Sequence, residues 1–347
     1  MQQSDPRTIF PSLQTDLPVL LLYNLDQNWP PEDISTSLKL TAMMTEAMQA
    51  AGHPVIPARL EDDKLSDLLG KYDPAELIVF NWCEEVPGIP HSSWMVAHEL
   101  ERLGFTYTGS DYPALVLGQD KRQVQQRLKE ACIPTPMWKI YYSANTEDWD
   151  IFPAIVKPAF EHCSYGITRE AVVETQAELT KRVSYVFDQF KQPALVEEFI
   201  DGREFHVGVI GNGRLQMLPP AEIDFSIFDD IHDRLCTYDA NFAPSTLAYQ
   251  NSFAKLPIYF TPDELCCMEK AVLGAYRATD CRDYARMDIR MRDGIFYILD
   301  VNHNADLSPE TSLIKAAELV GYPYGWFGSL LVNLAAERHP VFGNGSH

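Results

Sequence analysis

Basic residues are in short supply. The chain has 28 Lys and Arg against 49 Asp and Glu, a formal net charge of −21 over 347 residues. A surface this acidic repels phosphate backbones and anionic lipid, which argues against nucleic-acid and membrane-surface partners and still leaves room for a local basic pocket. Long apolar runs are missing too, and none approaches the roughly 18 residues of a membrane span. The opening MQQSDPRTIFPSL lacks a basic-then-apolar leader pattern, so a cytoplasmic location is expected. The seven cysteines, at 83, 132, 163, 236, 266, 267 and 281, include no Cys-x-x-Cys pair. Odd in number and scattered, they suit reduced thiols better than a disulfide frame or a zinc site. Internal repeats and low-complexity stretches are absent, and no Gly-x-Gly-x-x-Gly follows the first apolar run, which removes a dinucleotide fingerprint.

What is present is a chain 46% apolar, able to bury a large core and to divide into two or three domains. Up to residue 104, short apolar runs alternate with segments of helical spacing. Strands are predicted over Leu17 to Tyr23, Pro54 to Arg59 and Leu77 to Trp82, and helices over Glu32 to Ala51, Leu60 to Gly70 and Ser92 to Leu103. That alternation implies a parallel sheet with helices on both sides, a fold that binds ligands beyond the carboxyl ends of its strands. From Gly109 the texture changes. Gln119 to Ala131 reads as a polar amphipathic helix stopped by Pro134 and Pro136. Strands are predicted over Phe152 to Val156, Ala194 to Ile200, Arg203 to Val209 and Pro219 to Phe225, with helices over Thr261 to Ala278, Thr311 to Val320 and Trp326 to Arg338. The irregular stretch from Ser226 to Ala254 is longer than a plain connection and suggests a cover.

The segment YARMDIRMRDGIFYILDVNHNAD, Tyr284 to Asp306, reads as a hairpin around Asp293-Gly294. A three-residue loop (Asp293, Gly294, Ile295) would pair Met291 with Tyr297, Ile289 with Leu299 and Met287 with Val301 on an apolar face. The other face then carries Arg286, Asp288, Arg290, Ile298, Asp300 and Asn302, with Asp288 opposite Asp300. Two acids and an amide converging from neighbouring strands suit a hard divalent cation, although an ordinary solvated face has the same composition. Two lysines stand out besides. Lys121 sits in the first turn of a helix, where the dipole disfavours it and where a solvent-facing role is the ordinary one. Lys157 ends an apolar strand, and a charge held inside there requires an anionic partner. Ala159 to Thr168 is a small-residue loop of the kind that offers backbone N–H groups to phosphate. His206 reads as a packed core residue, His303 as either a substrate contact or a surface histidine, and Cys163 as a small loop filler.

The ordered series DKRQVQQRLKEACIPTP, AIVKPAFEHCSYGIT, ALVEEFIDGREFHVGV, YARMDIRM and YILDVN resembles the ATP-grasp superfamily and, within it, the D-alanine–D-alanine ligase family. The likeness covers about residues 109 to 338. It implies an α/β fold, α+β in the C-terminal half, with a Rossmann-like N-terminal unit (1–109), a central lid domain (110–197) and a C-terminal domain with the metal site (198–347). It further implies an ATP-dependent ligase that joins a small carboxylate to an amine, both amino acids in such a family, through an acyl phosphate. By this resemblance Lys121 and Lys157 hold ATP phosphates, with Glu161 and Ser164 in the loop that closes over them. Glu197, Glu198 and the backbone near Ile200 meet adenine at the hinge, and Glu204 meets ribose. Asp288, Asp300 and Asn302 bind two Mg²⁺, with Mn²⁺ as the alternative ion, while Arg286 stabilises the tetrahedral intermediate. A homodimer is the usual assembly. The chain departs from the family at four places: Asp300-Val301-Asn302 for Glu-x-Asn, Asn304-Ala305-Asp306 for a small glycine turn, Tyr238-Asp239-Ala240-Asn241 for Tyr-Glu-Ala-Lys, and Glu161-His162-Cys163-Ser164 for Glu-Gly-Ser-Ser. These substitutions point to a relative with another substrate, the alternatives being a ligase acting on a non-amino-acid carboxylate or a nucleotide-binding regulator.

Overall fold

The computed structural model describes residues 13–161, 164–236 and 254–343. Its first sheet is parallel, in the order β2-β1-β3, from β1 (Val19–Asn24), β2 (Val55–Leu60) and β3 (Ile78–Trp82). These strands read as apolar runs because both faces are covered. Leu21 and Phe80 pack on α1 (Pro31–Ala50), whereas Leu20 and Val79 pack on α2 (Leu65–Leu69) and α3 (Ser93–Arg102). α2 is shorter than the Leu60 to Gly70 expected, because Leu60 continues β2 in register with Asn24.

Next come α4 (Tyr112–Gly118), capped by Asp111, and α5 (Lys121–Glu130), capped by Asp120. A four-stranded antiparallel sheet follows, in the order β4-β7-β5-β6, from β4 (Trp138–Tyr141), β5 (Ala154–Pro158), β6 (Val172–Val173) and β7 (Ala194–Glu198). α6 (Gln176–Phe190) covers it, packing Leu179, Val183 and Val186 on Ala154, Val156 and Val196. The sequence reading did not anticipate α6, although Thr175 and Glu178 form a capping box that was open to view in the sequence.

The largest sheet is antiparallel, in the order β11-β10-β8-β12-β13, with β9 on the side of β8. It contains β8 (Arg203–Ile210), β9 (Gln216–Met217), β10 (Ala221–Ile223), β11 (Ala254–Lys255), β12 (Tyr284–Arg292) and β13 (Ile295–Asn302). α7 (Pro262–Ala278), opened by a Thr261/Glu264 capping box, lays Met268, Val272 and Ala275 over Val207, Met287 and Ile298. The chain ends with α8 (Ser312–Leu319) and α9 (Tyr324–Ala336). α9 returns to the first sheet and packs closely on α1, since a Cβ at Gly325 would lie 2.2 Å from the Ala47 carbonyl oxygen. Among the described residues no helix is long and apolar enough to cross a membrane.

One carboxylate ties the distant parts together. Asp283 is fully buried and accepts from Gly109 N at 2.8 Å, Asn212 Nδ2 at 2.8 Å and both terminal nitrogens of Arg338 at 2.8 and 2.7 Å. It thereby joins the chain after the first sheet, the turn after β8 and the C-terminal helix. Replacing Asp283 by Ala leaves the half-buried Arg338 without its counter-ion, and we expect a loss of about 3–5 kcal/mol. Urea unfolding of the variant measures this, and a change under about 1 kcal/mol would refute the tie.

Candidate functional site

The site is built on the β12/β13 hairpin, and its register differs from the expected one near the turn. Arg292 pairs with Ile295, so the loop has two residues, and Asp293 and Gly294 both have positive φ (54° and 76°), as type I′ turns require. Ile289 therefore pairs with Ile298 and Met291 with Phe296, in place of Leu299 and Tyr297. A bulge between Asp288 and Ile289 then absorbs Leu299, and Asp288 faces Asp300 as expected. The correction moves Ile298 into the core, fully buried, and places Leu299 at the cleft. Expected and observed pairings agree from the bulge outward because a longer loop and a bulge both add one residue.

Opposed carboxylates need cations, and the chain supplies them. Arg286 grips Asp288 through Nε–Oδ1 at 2.7 Å and Nη2–Oδ2 at 2.9 Å, and Asn302 Nδ2 lies 3.1 Å from Asp288 Oδ2. Lys121 Nζ lies 2.7 Å from Asp300 Oδ2. Burial pushes the Asp288 carboxyl up, but Arg286 and His206 outweigh it and hold the group below its usual range. Burial likewise pushes the Lys121 ammonium down, and Asp300, Glu197 and Asp288 together reverse this, raising it. Lys121 is therefore not a solvent-facing lysine. A set of two carboxylates and one amide suits a hard divalent cation, and Lys121 occupies the place of such a charge beside Asp300.

The anionic partner required by Lys157 is Glu197. Their Nζ and Oε2 lie 2.6 Å apart, with Glu197 1% exposed, and Gln125 Nε2 donates to the other Glu197 oxygen at 2.7 Å. Glu204 is also buried and paired, with Arg290 Nε at 2.6 Å, and Arg290 Nη1 donates to the Ile200 carbonyl at 2.9 Å. Glu198 meets Arg292 Nη2 at 2.5 Å. Glu161 accepts from Gln192 Nε2 at 2.7 Å and faces His91 at 3.7 Å. Ser164 has φ +59°, a left-handed conformation in the loop beside the cleft.

Lys121, Lys157, Glu161, Ser164, Glu197, Glu198, Ile200, Glu204, Asp288 and Asp300 all line one cleft. Arg286 and Asn302 reach it through their bonds to Asp288. Ile155, Ile167, Phe199 and Leu299 form an apolar wall that sequence reasoning missed, because these residues come from separate elements. Two histidine expectations change. His303 is buried, with Nε2 2.8 Å from the Thr279 carbonyl, and it packs on Gly118, so it is neither a surface residue nor a substrate contact. His206 is half-buried beside Asp288, 3.8 Å away, rather than in the core. Alternation on β8 was the available signal: Phe205, Val207 and Val209 are core, so Glu204 and His206 share the opposite face. Cys163, His162 and Tyr238 to Asn241 lie outside the described residues.

A family model described as the D-Ala–D-Ala ligase C-terminus matches residues 135–330. The uncharacterized protein y4sG of Sinorhizobium fredii is 29% identical over 327 residues, covering 92% of this chain and 91% of its own. A D-alanine–D-alanine ligase of Aquifex aeolicus is 27% identical over 303 residues, covering 85% and 94%. The crystal structure of the D-alanine–D-alanine ligase of Bacillus anthracis complexed with ATP superposes with a TM-score of 0.70 at 20% identity, over 92% of this chain and 97% of that one. At that identity the superposition is a likeness of fold.

The Lys157–Glu197 pair generates a stability prediction. Lys157→Met strands a buried carboxylate and should cost about 3–5 kcal/mol. The double variant Lys157→Met/Glu197→Gln should recover much of that loss. Urea unfolding of both singles and the double measures the coupling, and additive losses would show that the two charges do not support each other.

Proposed function

Because this chain belongs to the D-alanine–D-alanine ligase family, we propose that it is an ATP-dependent ligase that joins a small carboxylate, an amino acid in this reading, to an amine. The observation that carries the reading is Asp288 facing Asp300 in the cleft that Lys121 and Lys157 also line. In this reading Lys121 and Lys157 hold the phosphates of ATP. Glu198 and the Ile200 backbone border adenine beside the apolar wall of Phe199 and Leu299, and Glu204 borders ribose. Glu197 positions Lys157 and is itself held by Gln125.

Asp288, Asp300 and Asn302 would hold the divalent ion, which when bound neutralises phosphate charge during transfer. Lys121 then exchanges Asp300 for phosphate, so its charge remains paired throughout. A substrate carboxylate oxygen bonds to the γ-phosphorus as the bond to ADP breaks. The amine next attacks the carbonyl carbon of the acyl phosphate, phosphate leaves with the bonding pair, and the proton lost from the amine nitrogen passes to the departing phosphate. Arg286, fixed by Asp288, faces the negative charge that develops on the carbonyl oxygen. In this reading Glu161 and the Ser164 to Gly166 stretch border the phosphates and keep water from the acyl phosphate.

The substrate differs from D-alanine in this reading. Asp306 is exposed with Oδ1 accepting from Ser308 N at 2.7 Å, so a second carboxylate oxygen and a full negative charge stand where the family has a glycine turn. The test is phosphate release from ATP and Mg²⁺ across D- and L-amino acids, singly and in pairs, with product masses read out. Release that requires a carboxylate and an amine, together with the mass of their amide, is the expected result. Asp288→Asn and Lys121→Met should each lower it at least about 100-fold. ATP binding without release under any pair would instead favour a nucleotide-binding regulator.

A further inference from the structure

Three metal ligands converge where no spacing in the sequence suggested a zinc motif. Glu204 and His206 are two residues apart on one face of β8, and Cys236 arrives from the segment after the short 3₁₀ turn at Ile231–Asp233. One ligand atom from each lies within 4.8 Å of the other two. Cys236 Sγ is 3.4 Å from Glu204 Oε1. Sulfur and oxygen ligands keep about that separation on the edge of a tetrahedral zinc site, whose bonds are roughly 2.3 and 2.0 Å.

The groups outside this trio already orient it. Arg290 Nε holds Glu204 Oε2 at 2.6 Å, which leaves Oε1 to the thiol. Ser312 Oγ lies 3.2 Å from His206 Nδ1, which leaves Nε2 on the side of Asp288. Such outer contacts fix ring orientation and carboxylate direction in metal sites.

We propose that Glu204, His206 and Cys236 bind one transition-metal ion of the zinc class, in the same cleft as Asp288 and Asp300 but through a different donor set, so that this ion and a nucleotide ribose are alternative occupants at Glu204. Sulfur and imidazole select Zn²⁺ or Co²⁺, whereas the all-oxygen set selects Mg²⁺. Binding breaks the Cys236 S–H bond, the proton passes to buffer, and the sulfur electron pair bonds to the ion without any redox change. Water fills the fourth position. The proposal does not rest on the ligase reading, because the probe is the metal alone.

The test titrates the full chain, stripped with chelator, with Co²⁺. One equivalent should bind with an intense near-ultraviolet sulfur-to-cobalt absorption, displaced by Zn²⁺ and unaffected by excess Mg²⁺. Cys236→Ser should remove the band and His206→Ala should keep it, and each should weaken Zn²⁺ binding by at least about tenfold in calorimetry. Circular dichroism checks that both variants fold. Zinc-edge X-ray absorption on the unaltered protein gives an independent readout: one sulfur with at least one imidazole nitrogen is expected. A band that survives Cys236→Ser, as binding at the exposed Cys266 and Cys267 would give, overturns the proposal. Two sulfurs or an all-oxygen shell at the zinc edge would overturn it as well.

Discussion

Like charges facing each other across a β-ladder repel, and Asp288 opposite Asp300 imposes that problem on the centre of this protein. The surrounding structure answers it from three directions. Arg286 comes from the same strand and Lys121 from the start of α5 as cations, and the His206 imidazole, whose pKa burial holds below its usual value, comes from the neighbouring strand β8. Each brings its own element with it. α5 must begin where it does for Lys121 to reach Asp300, and its cap Asp120 fixes that start. The four-stranded sheet meets the same cleft through Lys157, whose charge is returned by Glu197.

The ion pairs also define what a ligand must do. Buried carboxylates and ammonium groups that already satisfy one another can be separated only by something that replaces both partners. A nucleotide phosphate and a divalent ion arriving together meet that condition for Lys121 and Asp300, and neither meets it alone. The cleft lies between the four-stranded sheet and the large antiparallel sheet, whereas α9 closes on α1 at the Gly325 contact. Asp283, fully buried at the junction, keeps the parts in that relation.

Strong periodicity was readable in the chain, and faint or distributed signals were not. The β1 to β3 runs, α5 and α7 appear near their expected positions because each carries a local pattern. α6 was missed despite its capping box, and the hairpin loop was read one residue too long because a bulge elsewhere in the ladder has the same arithmetic effect. His206 was misassigned for a different reason: a lone histidine on a strand carries no sign of which face is buried until its neighbours Phe205 and Val207 are weighed.

Local sequence, then, determined the alternation of strands and helices and the need of Lys157 for an anion, because each follows from side-chain period or from the cost of burying a single charge. Only the tertiary structure decided that this anion is Glu197, that Lys121 answers Asp300, that His303 is internal, and that Cys236 meets Glu204 and His206. Those contacts join residues tens to hundreds of positions apart. Their free energies arise from the packing of whole elements, which no short window of sequence contains.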